Sequence, residues 1–187
     1  KEHLENHIFK LGEPVMQASE YGFGNFGGWS VLSRTGDWKD GFEVGHVSHN
    51  EAKHLVNLPD GSPNYKVHKF LGWSNSFEHK NPTQACVGPF DDVIQKLNEM
   101  GFYVRRARIT LLKPGGNTSL HMDGDKGTYM ARIHIPIVTN ESCYHNTEGV
   151  GFHMPADGSA YMIWVNCLHQ AGNDGDKDRY HLIMDAY

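Results

Sequence analysis

The sequence predicts a mainly β fold, a sandwich or jelly roll with a few helices, and three observations carry that prediction. After Gly101 the chain breaks into short runs rich in β-branched and aromatic residues, each bounded by Gly, Asn, Asp or Pro. Six such runs fall within about eighty-five residues, a density expected of a two-sheet or barrel-like β domain. The 21 glycines and 8 prolines among 187 residues call for many turns between short elements.

In chain order, the first hundred residues read as loop-rich. The clusters Gly22-Phe23-Gly24-Asn25-Phe26-Gly27-Gly28 and Leu58-Pro59-Asp60-Gly61-Ser62-Pro63-Asn64 break any regular period. Between them Asn50 is placed to cap a short helix over 51–57. The firmest helix is Phe90 to Met100, where Val93, Ile94, Leu97 and Met100 fall at helical spacing, Pro89 precedes the start and Gly101 follows the end. Strands follow at 102–112, 118–121, 129–138, 150–154, 159–166 and 179–186. Lys113-Pro114-Gly115-Gly116-Asn117 and Ala156-Asp157-Gly158 supply turns between them. A chain of 187 residues suits one domain. Residues 1–100 would form its loop-rich and helical part, and 101–187 its jelly-roll core.

The 39% hydrophobic and 21% charged residues are ordinary for a globular protein. A net charge of −5, a pI near 6.2 and the lack of a dense Lys/Arg block leave no electrostatic footprint for a phosphate backbone, so no nucleic-acid partner is expected. Cys86, Cys143 and Cys167 are odd in number and irregularly spaced, unlike a disulfide framework or a paired-cysteine zinc site, and fit a reducing cytoplasm. No apolar run approaches the roughly 18 residues that span a bilayer, and Lys1-Glu2-His3-Leu4-Glu5 is charged rather than signal-like. A cytoplasmic protein without a membrane partner is the expectation.

The chemistry concentrates in His121-Met122-Asp123. Two residues apart on a strand, His121 and Asp123 leave from the same face and can converge on one ion. His169 follows 48 positions later, just after a predicted strand, and completes a set of two imidazoles and one carboxylate. That set occupies one face of an octahedron and leaves three positions open, the arrangement of non-haem Fe(II) oxygenases. With 13 histidines in the chain, His-x-Asp by itself is weak; its neighbourhood strengthens it. Arg179, ten residues beyond His169, is placed to meet in a bidentate pair the distal carboxylate of a dicarboxylic acid chelating the metal. Considered alone, Arg179 would read as a surface salt-bridge partner of Asp176 or Asp178.

From about Arg105 to Tyr187 the residues resemble the aspartyl/asparaginyl β-hydroxylase family of 2-oxoglutarate oxygenases. The resemblance runs through Ile109-Thr110 with Lys113-Pro114-Gly115, His121-Met122-Asp123, Arg132-Ile133-His134-Ile135-Pro136-Ile137-Val138-Thr139-Asn140, His169-Gln170-Ala171-Gly172-Asn173 and Arg179-Tyr180-His181-Leu182-Ile183. It implies a double-stranded β-helix, a cupin-like jelly roll, with Fe(II), 2-oxoglutarate and dioxygen as cofactors. It further implies that Arg179 and Thr110 hold the distal carboxylate of 2-oxoglutarate. His134 would orient the cosubstrate near its metal-bound end, and Arg132 would face an acidic substrate or the cosubstrate. Strand alternation puts Arg132 and His134 on one face; otherwise they read as polar groups satisfied within a strand. Some family members lack the carboxylate ligand, and related halogenases keep that position small for chloride, so Asp123 implies hydroxylation. His145, His153 and His181 read as structural or surface residues, and Asn173 and Trp164 as walls of the site.

The expected activity is that of an Fe(II)- and 2-oxoglutarate-dependent dioxygenase hydroxylating a C–H of an amino acid or of an aspartyl/asparaginyl-type residue in a peptide. A small size and an available Arg132 favour such a substrate over a lipid, whose hydroxylases usually carry a membrane anchor. The segment Tyr21 to Trp38 is placed to line or cover the pocket, although buried packing is the commoner fate of Phe and Trp. Two other classes compete: a cupin-like metal enzyme without 2-oxoglutarate, and a non-catalytic metal-binding β-sandwich whose histidines sequester zinc. Neither needs Arg179 with Thr110.

Overall fold

A computed structural model of the chain describes residues 1–17, 23–42, 78–123 and 131–187. The expected helix over 51–57, the Leu58–Asn64 turn and the first two residues of the strand expected over 129–138 lie outside these residues. The architecture is mainly β, a curled antiparallel sheet, as the sequence predicts. Its strands are β1 (Val15–Met16), β2 (Phe23–Ser30), β3 (Leu32–Ser33), β4 (Asn81–Pro82), β5 (Val104–Thr118), β6 (Ala131–Val138), β7 (Cys143–Thr147), β8 (Val150–Phe152), β9 (Tyr161–Trp164), β10 (His169–Asn173) and β11 (Arg179–Ala186).

Strand β5 is the hinge of the design. Its first part pairs with β11 along one edge, from Val104 opposite Ala186 to Leu112 opposite Arg179. The same edge then turns to β10, with Gly116 opposite Asn173 and Asn117 opposite Gly172. One strand therefore belongs to two sheets. The first runs β1-β2-β5-β11-β6-β9 and the second β5-β10-β7-β8. Lys113–Asn117, expected as a turn between strands, is instead the corner inside this strand. Gly115 sits at φ +68, and the four residues Lys113–Gly116 bulge opposite the single Asn25 of β2. The sequence reads the breaker residues correctly and misses that the pairing continues through them.

Further differences have similar causes. The glycine-rich Phe23–Ser30 segment, expected as loop, is a strand along the free edge of β5. It holds glycines because backbones approach closely there: a Cβ on Gly28, at φ +150, would stand 1.9 Å from the Ile109 carbonyl oxygen. Strands β7 and β10 escape sequence reading because polar residues interrupt them, and Val150–Phe152 is shorter than expected. Helix α1 (Pro89–Glu99) lies within a residue of expectation. Its end is closed by Gly101 at φ +94, with Gly101 N–H donating to Asn98 O and Phe102 N–H to Leu97 O.

Alternation assigns each face of the first sheet. Ile109, Leu111, Leu182, Met184 and Ile133 turn to an apolar core with Trp29, Val31, Phe90 and Ile94, and with Leu4 and Ile8 from an N-terminal helical turn. The opposite face looks into the curl and is polar. Cross-strand pairing aligns Arg108 with Ile183 and His134, Thr110 with His181, and Arg132 with Asp185. A polar interior face walled by a second sheet is where the site forms. Among the described residues, no helix is long and apolar enough to cross a membrane.

Candidate metal centre

His121 lies just past the end of β5 and forms an isolated antiparallel bridge with His169 at the start of β10, each backbone N–H donating to the other's carbonyl, at 3.0 and 2.8 Å. Backbone pairing thus brings together two imidazoles 48 residues apart, with ring centroids 4.3 Å from one another. Asp123 is anchored by its own N–H to Val165 O at 2.7 Å. His121 Nε2 stands 3.8 Å from Asp123 Oδ1, and His169 Nε2 3.6 Å from Asp123 Oδ2. The three ligand atoms lie within 4.8 Å of one another, and among the described residues this is the one group able to hold a metal ion.

The surroundings fix the ligand atoms. The Nδ1–H of His121 donates to Ser119 O at 2.6 Å, and that of His169 to Cys167 O at 2.9 Å, in the tautomer that leaves each Nε2 lone pair facing the group. Burial raises the Asp123 carboxyl, but Arg132 together with His169 and His121 outweighs it and holds the group well below the usual carboxylate range. Burial, opposed by Asp123, lowers His121. Two imidazoles and one carboxylate are the donor set of a divalent first-row metal with open coordination positions.

A cavity leads inward from these ligands, bordered among others by Arg106, Arg108, Arg132, His134, His145 and Arg179. Arg179 is 2% exposed and forms no ion pair among the described residues, so the surface salt bridge to Asp176 or Asp178 is not made. Burial pushes its guanidinium down to about 10. Thr110 shares Arg179's face of the sheet, and its hydroxyl donates to His181 O at 3.2 Å. Arg132 bridges two carboxylates, with one Nη on Asp123 Oδ2 and Nε on Asp185 Oδ1 at 2.8 Å. Their attraction outweighs burial and raises the guanidinium above its usual value.

Several residues were read too blandly from sequence. His145 and His181, expected as structural or surface groups, are 3% and 2% exposed and cluster with His134. Their spacing holds no ligand pattern, so no sequence signal marks them. Arg106 and Arg108 border the cavity, with Nε of each lacking a hydrogen bond and no ion pair on either among the described residues; Arg108 rests against the Phe42 ring at 5.3 Å. Alternation from Thr110 along the same strand was the available signal for them. Trp164 is 56% exposed, whereas Asn173 is buried, with its amide donating to Leu112 O and Lys177 O.

Comparison with known proteins adds the following. The family model described as aspartyl/asparaginyl beta-hydroxylase matches residues 59–187. No curated protein matches the chain. Similar solved structures include a predicted oxalate decarboxylase from Thermotoga maritima, at 16% identity over 49% of this chain and 71% of that one, with a TM-score of 0.37. Others are a cupin domain of an XRE-family transcriptional regulator from Enterobacter cloacae (14%, 54% and 90%, 0.38) and a cupin domain from Bordetella pertussis (21%, 46% and 91%, 0.35).

Proposed function

This chain belongs to the aspartyl/asparaginyl β-hydroxylase family, and from that premise we propose that it is a single-domain Fe(II)- and 2-oxoglutarate-dependent dioxygenase. Its substrate is a C–H of an amino acid or of an aspartyl/asparaginyl-type residue in a peptide. The observation that carries the reading is Arg179, a cation 2% exposed with no ion pair among the described residues, bordering the same cavity as the His121–Asp123–His169 group. A buried unpaired guanidinium is costly, and a carboxylate reaching it from the metal would offset that cost with a bidentate pair.

In this reading His121, Asp123 and His169 hold Fe(II) on one side and leave the other open. Arg179 binds the distal carboxylate with Thr110 beside it, and His134 orients the metal-bound end. When bound, iron and 2-oxoglutarate supply the oxidising power, the cosubstrate leaving as succinate and carbon dioxide while one oxygen atom of dioxygen enters the C–H bond. Arg132, engaged by Asp123 and Asp185, keeps the ligand carboxylate ionised and oriented. Among the described residues, four arginines, Arg106, Arg108, Arg132 and Arg179, border the cavity with one carboxylate, Asp123, and Asp185 lies close behind Arg132. This surplus suits an anionic cosubstrate together with a substrate that presents a carboxylate to Arg106 and Arg108.

The test is anaerobic addition of Fe(II) and then 2-oxoglutarate to wild type, Arg179→Ala and His169→Ala, following the weak visible charge-transfer band. The band is expected in wild type and absent from both variants. Iron binding without a band or turnover of 2-oxoglutarate in wild type would favour a cupin-like enzyme that needs no cosubstrate. Binding of zinc alone, without turnover of any kind, would favour a metal-sequestering module.

A further inference from the structure

Between the metal group and Arg179 the cavity wall carries an unexplained cluster. His134 on β6 meets His145 on β7 edge to face at 5.6 Å and His181 on β11 at 5.8 Å. His145 also stacks on the ligand His169, with centroids 5.7 Å apart and planes 17° from parallel. The three rings are 4%, 3% and 2% exposed, and none of their six nitrogens has a hydrogen-bond partner among the described residues. Each neutral imidazole carries one N–H donor, which a packing role does not require: a phenyl ring would fill the same space without burying an unsatisfied donor. The cluster is not a second metal site, because its ligand atoms do not converge as those of His121, Asp123 and His169 do.

Unsatisfied donors bordering a cavity beside lone cations point to an anion with several acceptor oxygens. Of the three histidines, His134 and His145 border the cavity directly, and His145 is the one against a metal ligand. His181, two positions from Arg179 on β11, backs His134.

We propose that His145 is a cosubstrate-binding residue, its ring N–H donating to a carboxylate oxygen at the metal-chelating end of 2-oxoglutarate. The proposal rests on the 2-oxoglutarate reading above. It assigns the second sheet a share of cosubstrate binding that otherwise falls wholly to the first sheet.

Affinity for 2-oxoglutarate is measured by titration calorimetry on Zn(II)-loaded wild type, His145→Phe and His145→Asn, after each variant's zinc affinity has been measured. His145→Phe is expected to weaken 2-oxoglutarate binding about tenfold, as loss of a hydrogen bond to a charged group does, with zinc affinity unchanged. His145→Asn, which keeps a donor, is expected within about threefold of wild type on the same ground. In wild type, the His145 ring N–H proton is expected to move downfield by NMR when 2-oxoglutarate is added to the zinc form. Wild-type binding with equal affinity in His145→Phe overturns the proposal, as does an unmoved ring proton should the phenylalanine variant fail to fold. Absence of 2-oxoglutarate binding in wild type would instead overturn the cosubstrate assignment itself.

Discussion

Arg132 Nε donates to Asp185 Oδ1 at 2.8 Å while the other side of the same guanidinium holds Asp123, so a buried carboxylate on β11 is tied to a candidate metal-ligand carboxylate through one side chain. Asp185 is 0% exposed, and losing Arg132 would remove the ion pair that Nε makes with it inside the fold. Arg132→Met is therefore expected to cost about 3–5 kcal/mol, the penalty for breaking a buried pair from one side. At about 2–4 °C per kcal/mol for a chain this long, the melting temperature should fall by roughly 6–20 °C in a thermal scan. A fall of only a degree or two would show that Asp185 does not depend on Arg132.

The metal-free protein should be acid-sensitive well above carboxylate pKa values. Burial lowers His79 to about 4 and His145 to about 3, and puts His134 and His181 well below 6.5. Their folded pKa values lie below the unfolded one, so the unfolded chain binds more protons and stability falls as pH drops below about 6.5. The loss continues to about 4 for His79 and about 3 for His145. Urea unfolding at pH 7.5 and pH 5 is expected to show lower stability at pH 5, with net proton uptake on unfolding. Equal stability at the two values would contradict neutral burial of these rings.

Arg108 should trade stability for binding. It is 6% exposed, without an ion pair among the described residues, and burial drives its guanidinium well below its ordinary value. Arg108→Met keeps a soft contact with Phe42 and removes the buried charge, so it is expected to stabilise the apoprotein by about 1–4 kcal/mol. With a hydroxylated carboxylate substrate in hand, the same variant should raise KM at least about tenfold, while succinate release proceeds uncoupled from hydroxylation. A destabilised variant with unchanged KM would remove Arg108 from the substrate site.

Gly28→Ala tests the packing of β2 onto β5. The new methyl group would overlap the Ile109 carbonyl oxygen and impose a strained φ. A loss of at least about 2 kcal/mol in chemical denaturation is expected, since backbone strain and steric overlap add. A neutral outcome would mean that the edge pairing of β2 shifts at little cost.

Much of the fold was legible for local reasons. Helix α1 declares itself by Pro89, four apolar residues at helical spacing and Gly101, all within a dozen positions. Strand β11 is found to the residue because Arg179–Ala186 is a β-prone run with a clear break before it. The interruption at Lys113–Asn117 misleads because a corner within one strand and a turn between two use the same residues; only the partners, β11 before it and β10 after it, tell them apart. The strand in Phe23–Ser30 hides because its glycines answer to a neighbour's backbone and carry no β propensity of their own.

For the candidate site, the sequence by itself singled out residues that the fold brings to one cavity: His121 and Asp123 two apart, His169 downstream and Arg179 ten residues later. Strand periodicity and ligand chemistry act over a few residues and survive without knowledge of the fold. Tertiary structure alone decided which charges are compensated. Arg132 is drawn to Asp123 and Asp185, while Arg106, Arg108 and Arg179 form no ion pair among the described residues. It also brought His145 from the second sheet against His134 from the first. Electrostatic pairing and desolvation depend on distances across the interior, and those distances exist only once β5 has turned its corner and the two sheets face each other.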